Sequence, residues 1–342
     1  MNADPLVATA VVMVIMAGLT VLGLPIAFAL MSGSFLGLLL FVSPAAMNLV
    51  EYQLFGNMTQ SLYLAIPLFT FMSTIIESSG ISTDLYDMMR KWFGGLRGGL
   101  AIGTIAISTV IAAMTGLAAT AVISMGLLGY PEMKKRGYHN FIALGCIPAG
   151  GVLGPLIPPS AYMIILAGFA SLSVGKLFIG GIIPGLITSF LFIAYITVVS
   201  FIRPGLAPAL PPEERANWNE KFISLRGVIL PILLIILVLG GIYSGAFTPT
   251  EAGGIGAFGA IICAAIHRRL NWDNLRRSSI TTLKVTVMVL WLCVAGSSLS
   301  AFLTAAQATL ALSNFLSGLS LEPMTIIIMM MIIVLILGMF ID

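Results

Sequence analysis

Gly150-Gly-Val-Leu-Gly-Pro-Leu-Ile-Pro-Pro-Ser160 holds three glycines and three prolines in eleven residues, in the middle of a long apolar stretch. Each proline removes a backbone donor and clashes with the carbonyl one turn back, so no ordinary continuous helix runs through it. In water such a segment is a loop. Here the flanks, residues 141–147 and 161–170, are apolar enough to sit in lipid. Broken backbone at membrane depth is tolerated only where protein buries it or it lines a polar cavity. The segment therefore points to a place where something polar is handled inside a membrane.

Composition agrees. The chain of 342 residues is 59% hydrophobic and 8% charged, with a mean hydropathy of +1.08. Soluble domains carry roughly 25% charged residues. Cys146, Cys263 and Cys293 stand singly in apolar segments, without a CxxC pair or a His/Cys cluster, so disulfide and zinc readings have no support. His139 and His267 sit beside Lys or Arg at segment ends, where an interfacial role is the simpler reading than a metal or proton-relay role. Met1–Pro5 has an Asp and no cation, which is not the start of a signal peptide. No nucleophile elbow, HExxH, P-loop or carboxylate pair is present, which argues against an enzyme and against a cofactor.

Apolar stretches of about 18–20 residues span a bilayer. They fall near 6–23, 25–42, 62–79, 177–201, 227–243, 250–266 and 285–303. Residues 98–130 form two shorter arms joined at 113–119. Arg97 stands at one end and Glu132, Lys134, Lys135 and Arg136 at the other, as expected of a re-entrant hairpin; two short tilted spans are the alternative. Residues 140–170 are the broken span, and the more polar segments 45–60 and 268–280 fit interfacial helices. With the N-terminus outside, all of the 16 Lys and Arg residues except Lys176 fall on the inner side. Inner loops are enriched in these cations.

Residues 206–226, with Pro208, Pro211 and Pro212, read as a cytoplasmic loop between halves 1–205 and 227–342. The order of elements repeats: Leu24-Pro25 breaks one early segment and Thr248-Pro249 its counterpart, and under that offset the hairpin tip at Gly116 maps near Phe340. The copies start on opposite sides, an inverted repeat of the transporter kind. The second copy stops where the first continues, so the expectation is a chain lacking about 80–100 residues of such a repeat at its C-terminus. Asp342 would be an intramembrane acid if the chain ran on.

Candidate functional residues follow from the breaks. At Thr115, Gly116 and Thr120 one helix ends and another begins, leaving free carbonyls and free N–H groups. Hard oxygen ligands suit Na⁺, and free N–H groups suit a carboxylate; a tight turn needing Gly for steric reasons is the plainer reading. The same reasoning covers Gly150, Gly151, Gly154, Pro155, Pro158, Pro159 and Ser160. Thr248-Pro-Thr250-Glu251 is a capping box with Pro at N1, while Glu251 and the two threonines are also candidates as polar groups near the membrane.

Residues 113–126, Pro131-Glu-Met-Lys-Lys-Arg-Gly-Tyr138, Gly154-Pro-Leu-Ile-Pro-Pro-Ser160, Gly175-Lys-Leu-Phe-Ile-Gly-Gly-Ile-Ile-Pro-Gly185, Gly245-Ala-Phe-Thr-Pro-Thr-Glu-Ala252 and Gly338-Met-Phe-Ile-Asp342 together resemble the large membrane subunit (DctM-like) of tripartite ATP-independent periplasmic (TRAP) transporters. The resemblance spans the chain. It implies an all-α polytopic membrane protein, an elevator-type transporter of inverted repeats in a bacterial inner membrane. It also implies a small membrane subunit (DctQ-like) and a periplasmic substrate-binding protein as partners. Import of a C4-dicarboxylate, sialic acid or related carboxylate would be coupled to Na⁺, with Thr115, Gly116 and Gly154 as implied Na⁺ contacts and Gly338–Asp342 as the start of a second hairpin. The tip Met114-Thr115-Gly116-Leu117 carries less Ser and Gly than that family's pattern. Two other readings stay open: a standalone ion-coupled anion transporter of similar architecture, and a non-transporting membrane scaffold.

Overall fold

The computed structural model describes residues 4–116, 118–318 and 322–340, with backbone alone at 337, 339 and 340. Among the described residues the regular structure is helical, without strands. In chain order the helices are α1 (Pro5–Val21), α2 (Ile26–Gly37), α3 (Met47–Met58), α4 (Ala65–Ser78), α5 (Ile81–Phe93), α6 (Gly99–Thr115), α7 (Ala118–Lys135), α8 (Asn140–Gly151), α9 (Leu153–Leu156), α10 (Ala161–Ala170), α11 (Val174–Ile202), α12 (Trp218–Tyr243), α13 (Pro249–Ile266), α14 (Trp272–Ala305), α15 (Ala308–Gly318) and α16 (Pro323–Phe340). Six stretches among the described residues are long and apolar enough to cross a membrane: Ser61–Ser78, Asn140–Ala170, Val174–Ile202, Trp218–Tyr243, Pro249–Ile266 and Trp272–Ala305. The protein is an all-α, multi-pass membrane protein.

Two compact units share the chain, residues 1–59 with 289–342, and residues 60–288. In the first, α1 and α2 pack around Val12, Met16, Leu38 and Phe302. Gly33 and Gly37 let α2 approach, since a Cβ there would strike Met16 and Phe302. The Asn57 side-chain amide donates to Ser297 Oγ at 2.9 Å.

In the second unit α4 and α13 form a tight pair. Gly253 and Gly256 of α13 face Leu68 and Met72 of α4, and Gly259 faces Leu234 of α12. Small residues let helices in lipid close to backbone distance, where dispersion holds them. Hydroxyls join α4 to α14: Thr74 Oγ1 lies 3.1 Å from Thr282 Oγ1, and Ser78 Oγ 2.9 Å from Ser278 Oγ. Asp84 at the start of α5 accepts two hydrogen bonds from Arg269, at 2.7 and 3.1 Å, and Arg269 also donates to the Ser79 carbonyl.

The structure corrects three boundaries. Residues 268–280 are not a separate interfacial helix, because Trp272–Ala305 is one continuous helix of 34 residues with no proline to stop it. The connector read as 206–226 ends at Asn217, whose side chain and Glu220 form a capping box that starts α12 at Trp218. The break in the 140–170 span is narrower than 150–160. Gly150 and Gly151 close α8, and Gly154 and Pro155 lie in α9, where a proline in the first turn removes no intrahelical bond. Val152 is a turn between α8 and α9 with helical backbone angles, and the backbone departs from helix at residues 157–160, with Ile157 and Ser160 extended.

Replacing Asp84 by Ala strips Arg269 of its bidentate partner. We expect a loss of about 1–3 kcal/mol, toward the lower figure because the pair is part-exposed. Thermal unfolding of the purified protein followed by tryptophan fluorescence checks this; an unchanged midpoint would show the pair to be dispensable.

Candidate functional site

The hairpin of residues 98–130 is α6 and α7, of 17 and 18 residues, joined at Gly116. Each arm is about 26 Å long at ~1.5 Å per residue, short of a hydrocarbon core of about 30 Å. Gly116 adopts φ +60° and its N–H bonds the Ala112 carbonyl at 2.8 Å, the usual glycine end of a helix. A Cβ at Gly116 would collide with the Pro159 carbonyl oxygen and crowd Ser160 Cα. The hairpin tip thus rests directly on the extended residues of the broken span.

The other sides of the break are enclosed too. On α11, Gly181 faces the Leu156 carbonyl and Met163, and Gly185 faces Ile157. On α8, Gly150 lies against Ser108 of α6 and Gly151 against Val122 of α7. Four helix ends meet here: the carbonyl ends of α6 and α9 and the N–H ends of α7 and α10. Carbonyl ends favour a cation, and N–H ends favour an anion. Ser160 is fully buried, and its hydroxyl has no hydrogen-bond partner among the described residues. An unmade buried hydrogen bond costs about 1–3 kcal/mol.

The hairpin base is held from outside the hairpin. Gly98 N–H donates to the Ala207 carbonyl, His139 N–H to the Leu206 carbonyl and Leu210 N–H to the Gly94 carbonyl, each at 2.9 Å. Arg136 pairs with Glu132 at 2.8 Å and with Glu214, and Lys91 pairs with Asp87 at 2.6 Å. Burial resists ionisation of Asp87, but Lys91 and Arg90 outweigh it and hold the carboxyl below its ordinary value. Burial pushes the Tyr138 hydroxyl up to about 12, so it stays neutral while accepting from Leu100 N–H.

A cleft of about 600 Å³ runs beside the tip. It is lined by Glu77 and Ser78 of α4, Ala118, Thr120 and Ser124 of α7, Tyr162 of α10, and Arg277 and Thr281 of α14. Thr120 is therefore a lining residue, and buried Thr115 ends α6 at the tip. Gly116, Pro159 and Ser160 are in mutual contact, beside Pro158. Gly150 and Gly151 serve close helix packing, and Gly154 and Pro155 lie in the single-turn helix α9. Thr248, Thr250 and Glu251 stand apart from the cleft. Thr248 Oγ1 accepts from Glu251 N–H at 3.3 Å, Glu251 accepts from Thr248 N–H at 2.8 Å, and Thr250 Oγ1 donates to the Ser61 carbonyl at 3.3 Å. Glu77, Ser124 and Arg277 went unnoticed in the sequence. An acid at the end of an apolar run was the available signal for Glu77, while Arg277 counted only toward topology. His139 caps α8 and His267 bonds the Cys263 carbonyl, both local roles. Among the described residues no group of His, Cys, Asp and Glu is arranged to hold a metal ion. Asp342 lies outside the described residues.

The sequence pattern of the "Tripartite ATP-independent periplasmic transporter, DctM component" matches residues 13–342. The C4-dicarboxylate TRAP transporter large permease protein DctM of Pseudomonas aeruginosa is 31% identical over 305 residues, 89% of this chain and 70% of that protein. The ectoine TRAP transporter large permease protein TeaC of Halomonas elongata is 30% identical over 301 residues, 87% of this chain and 69% of that protein. The sialic acid TRAP transporter large permease protein SiaM of Vibrio cholerae is 28% identical over 330 residues, 95% of this chain and 75% of that protein. These relatives are permease subunits of transporters rather than enzymes. A hairpin tip seated on a proline-broken span, beside a cleft that carries Glu77 and Arg277 in a multi-pass helical protein, is thus found in a chain that belongs to the DctM component family of the tripartite ATP-independent periplasmic transporters.

Proposed function

We propose that this chain is the permease part of a Na⁺-coupled importer of an organic acid in the bacterial inner membrane, with its N-terminus on the periplasmic side. One observation carries the reading: Gly116 at the hairpin tip touches Pro159 and Ser160, beside a buried Ser160 hydroxyl without a partner. Carbonyl ends and hydroxyls at one point are ligands for a hard cation, and the N–H ends beside them receive a carboxylate. Thr115, Gly116 and Gly154 are the proposed Na⁺ contacts, with Thr120 and residues 158–160 toward the substrate. The hairpin enters and leaves on the cytoplasmic side, and residues 1–205 and 227–342 are inverted repeats about a cytoplasmic connector. One part of the chain carries the site across the membrane against the other, as in an elevator. A small membrane subunit and a periplasmic binding protein complete the transporter, and the binding protein does much of the substrate selection. A C4-dicarboxylate or sialic acid is the favoured substrate class, from the names of the relatives.

In vesicles holding the complete transporter, uptake of the organic acid should require both Na⁺ and the cognate binding protein. Equal uptake in K⁺ removes the coupling, and full uptake without the binding protein favours a standalone carrier. Bulky replacements at Thr115 or Gly154 should abolish uptake while the protein still inserts; wild-type uptake in both takes these positions out of the site. Ser160→Ala should raise the thermal midpoint of the empty protein, because it removes the unmet hydroxyl, and should lower uptake at least tenfold. A stabilised variant with full uptake assigns Ser160 no part in transport.

A further inference from the structure

The cleft beside the hairpin tip contains two charged side chains that the tip itself does not use. Arg277 lies on α14, one wall of the cleft, and Glu77 at the end of α4. Among the described residues Arg277 has no carboxylate within ion-pair distance, unlike Arg269 eight residues earlier on the chain, which Asp84 holds in bidentate fashion. Glu77 makes one long contact, accepting from Ser124 Oγ on α7 at 3.5 Å. Arg277 is thus without an ion pair among the described residues, and Glu77 stands in the same cleft. Around them stand Thr120 and Thr281, hydroxyls that can donate to an anion, while the Ser78 and Ser278 hydroxyls are already bonded within and between α4 and α14. Arg277 is exposed at the cleft wall, and its planar fork is matched best by a carboxylate, which accepts from it in two places. The volume of about 600 Å³ lies within the range of small-molecule sites.

We propose that Arg277 is the carboxylate contact of a subsite in this cleft, separate from the contacts at Gly116 and Ser160, and that a small organic acid is its ligand. The proposal rests on the organic-anion reading above and refines it. A dicarboxylate has two places to go, Arg277 and the N-terminal turn of α7 at Ala118–Thr120, which lines the same cleft. Glu77 competes with the ligand for Arg277 and weakens the subsite, as suits a place through which an anion passes rather than one where it is stored.

The test measures the charge of the cleft directly and needs no turnover. Ala119→Cys and Ile123→Cys place thiols on the cleft wall, where both native residues are exposed, while Cys146, Cys263 and Cys293 are buried. In the assembled transporter, the anionic reagent sulfonatoethyl methanethiosulfonate and its neutral hydroxyethyl analogue are compared for labelling rate. Arg277→Gln should lower the anionic-to-neutral ratio at least about threefold, Arg277→Lys should keep it and Glu77→Gln should raise it. An unchanged rate with the neutral reagent shows that the variant is folded. Excess succinate should slow labelling in the native protein and lose about tenfold in potency in Arg277→Gln. A ratio indifferent to Arg277→Gln, or no protection by succinate, overturns the proposal. So does protection by phosphatidylglycerol vesicles in place of succinate, which would make Arg277 a lipid-headgroup contact. Labelling requires neither Na⁺ nor the binding protein, so failed uptake coupling and a failed subsite give different results.

Discussion

A peptide group in hydrocarbon must find its hydrogen bond within the protein, and the architecture of residues 60–288 follows from that demand. Residues 157–160 cannot satisfy it by themselves, because Pro158 and Pro159 bring no N–H and interrupt the ladder of the span. The neighbours supply the cover instead. Gly116 brings the hairpin tip against the Pro159 carbonyl, and Gly181 and Gly185 bring α11 against Leu156 and Ile157. Gly116 and Gly181 let backbone approach backbone, and Gly185 makes room for the Ile157 side chain. The buried Ser160 hydroxyl under this cover has no hydrogen-bond partner among the described residues.

The membrane assignment, the hairpin with its turn at Gly116, the proline break and the cap at Thr248 were all legible in the sequence. They follow from local rules: apolar length, Gly at a helix end, Pro without a donor, Thr and Glu three residues apart. The extent of the break was less legible. Gly150 packs against Ser108 of α6, far away along the chain, and that contact is not a local signal. The continuous α14 was missed because the polar character of residues 268–280 was given more weight than the absence of any helix stop after Trp272. The cleft was invisible because it joins α4, α7, α10 and α14, whose residues lie far apart along the chain. Membership of the DctM component family was legible from motif wording alone. Those motifs describe the tip and the break, and say nothing of Glu77 and Arg277.

The connector between α11 and α12 carries the remaining constraint. Its polar, proline-rich sequence looks like a free loop, yet Ala207 is completely buried and Leu210 nearly so. Three of its backbone groups complete the bonding of the turns at Gly94–Gly98 and His139. Glu214 adds charge to the Arg136–Glu132 pair at the same place. Both arms of the hairpin, the start of α8 and the end of α11 are fastened together there, far along the arms from the tip at Gly116.

That fastening has a consequence for how the protein is made. The N–H of Gly98 waits for a carbonyl at Ala207 that the ribosome supplies more than a hundred residues later. The hairpin can insert early, but its base stays unfinished until α11 has formed and the connector has returned to it. Contacts of such sequence separation form late. In the interval the turns at Gly94–Gly98 and His139 lack the protein partners that their backbone groups have in the finished fold. The proline-rich connector, by its place in the chain, is the element that ends this interval.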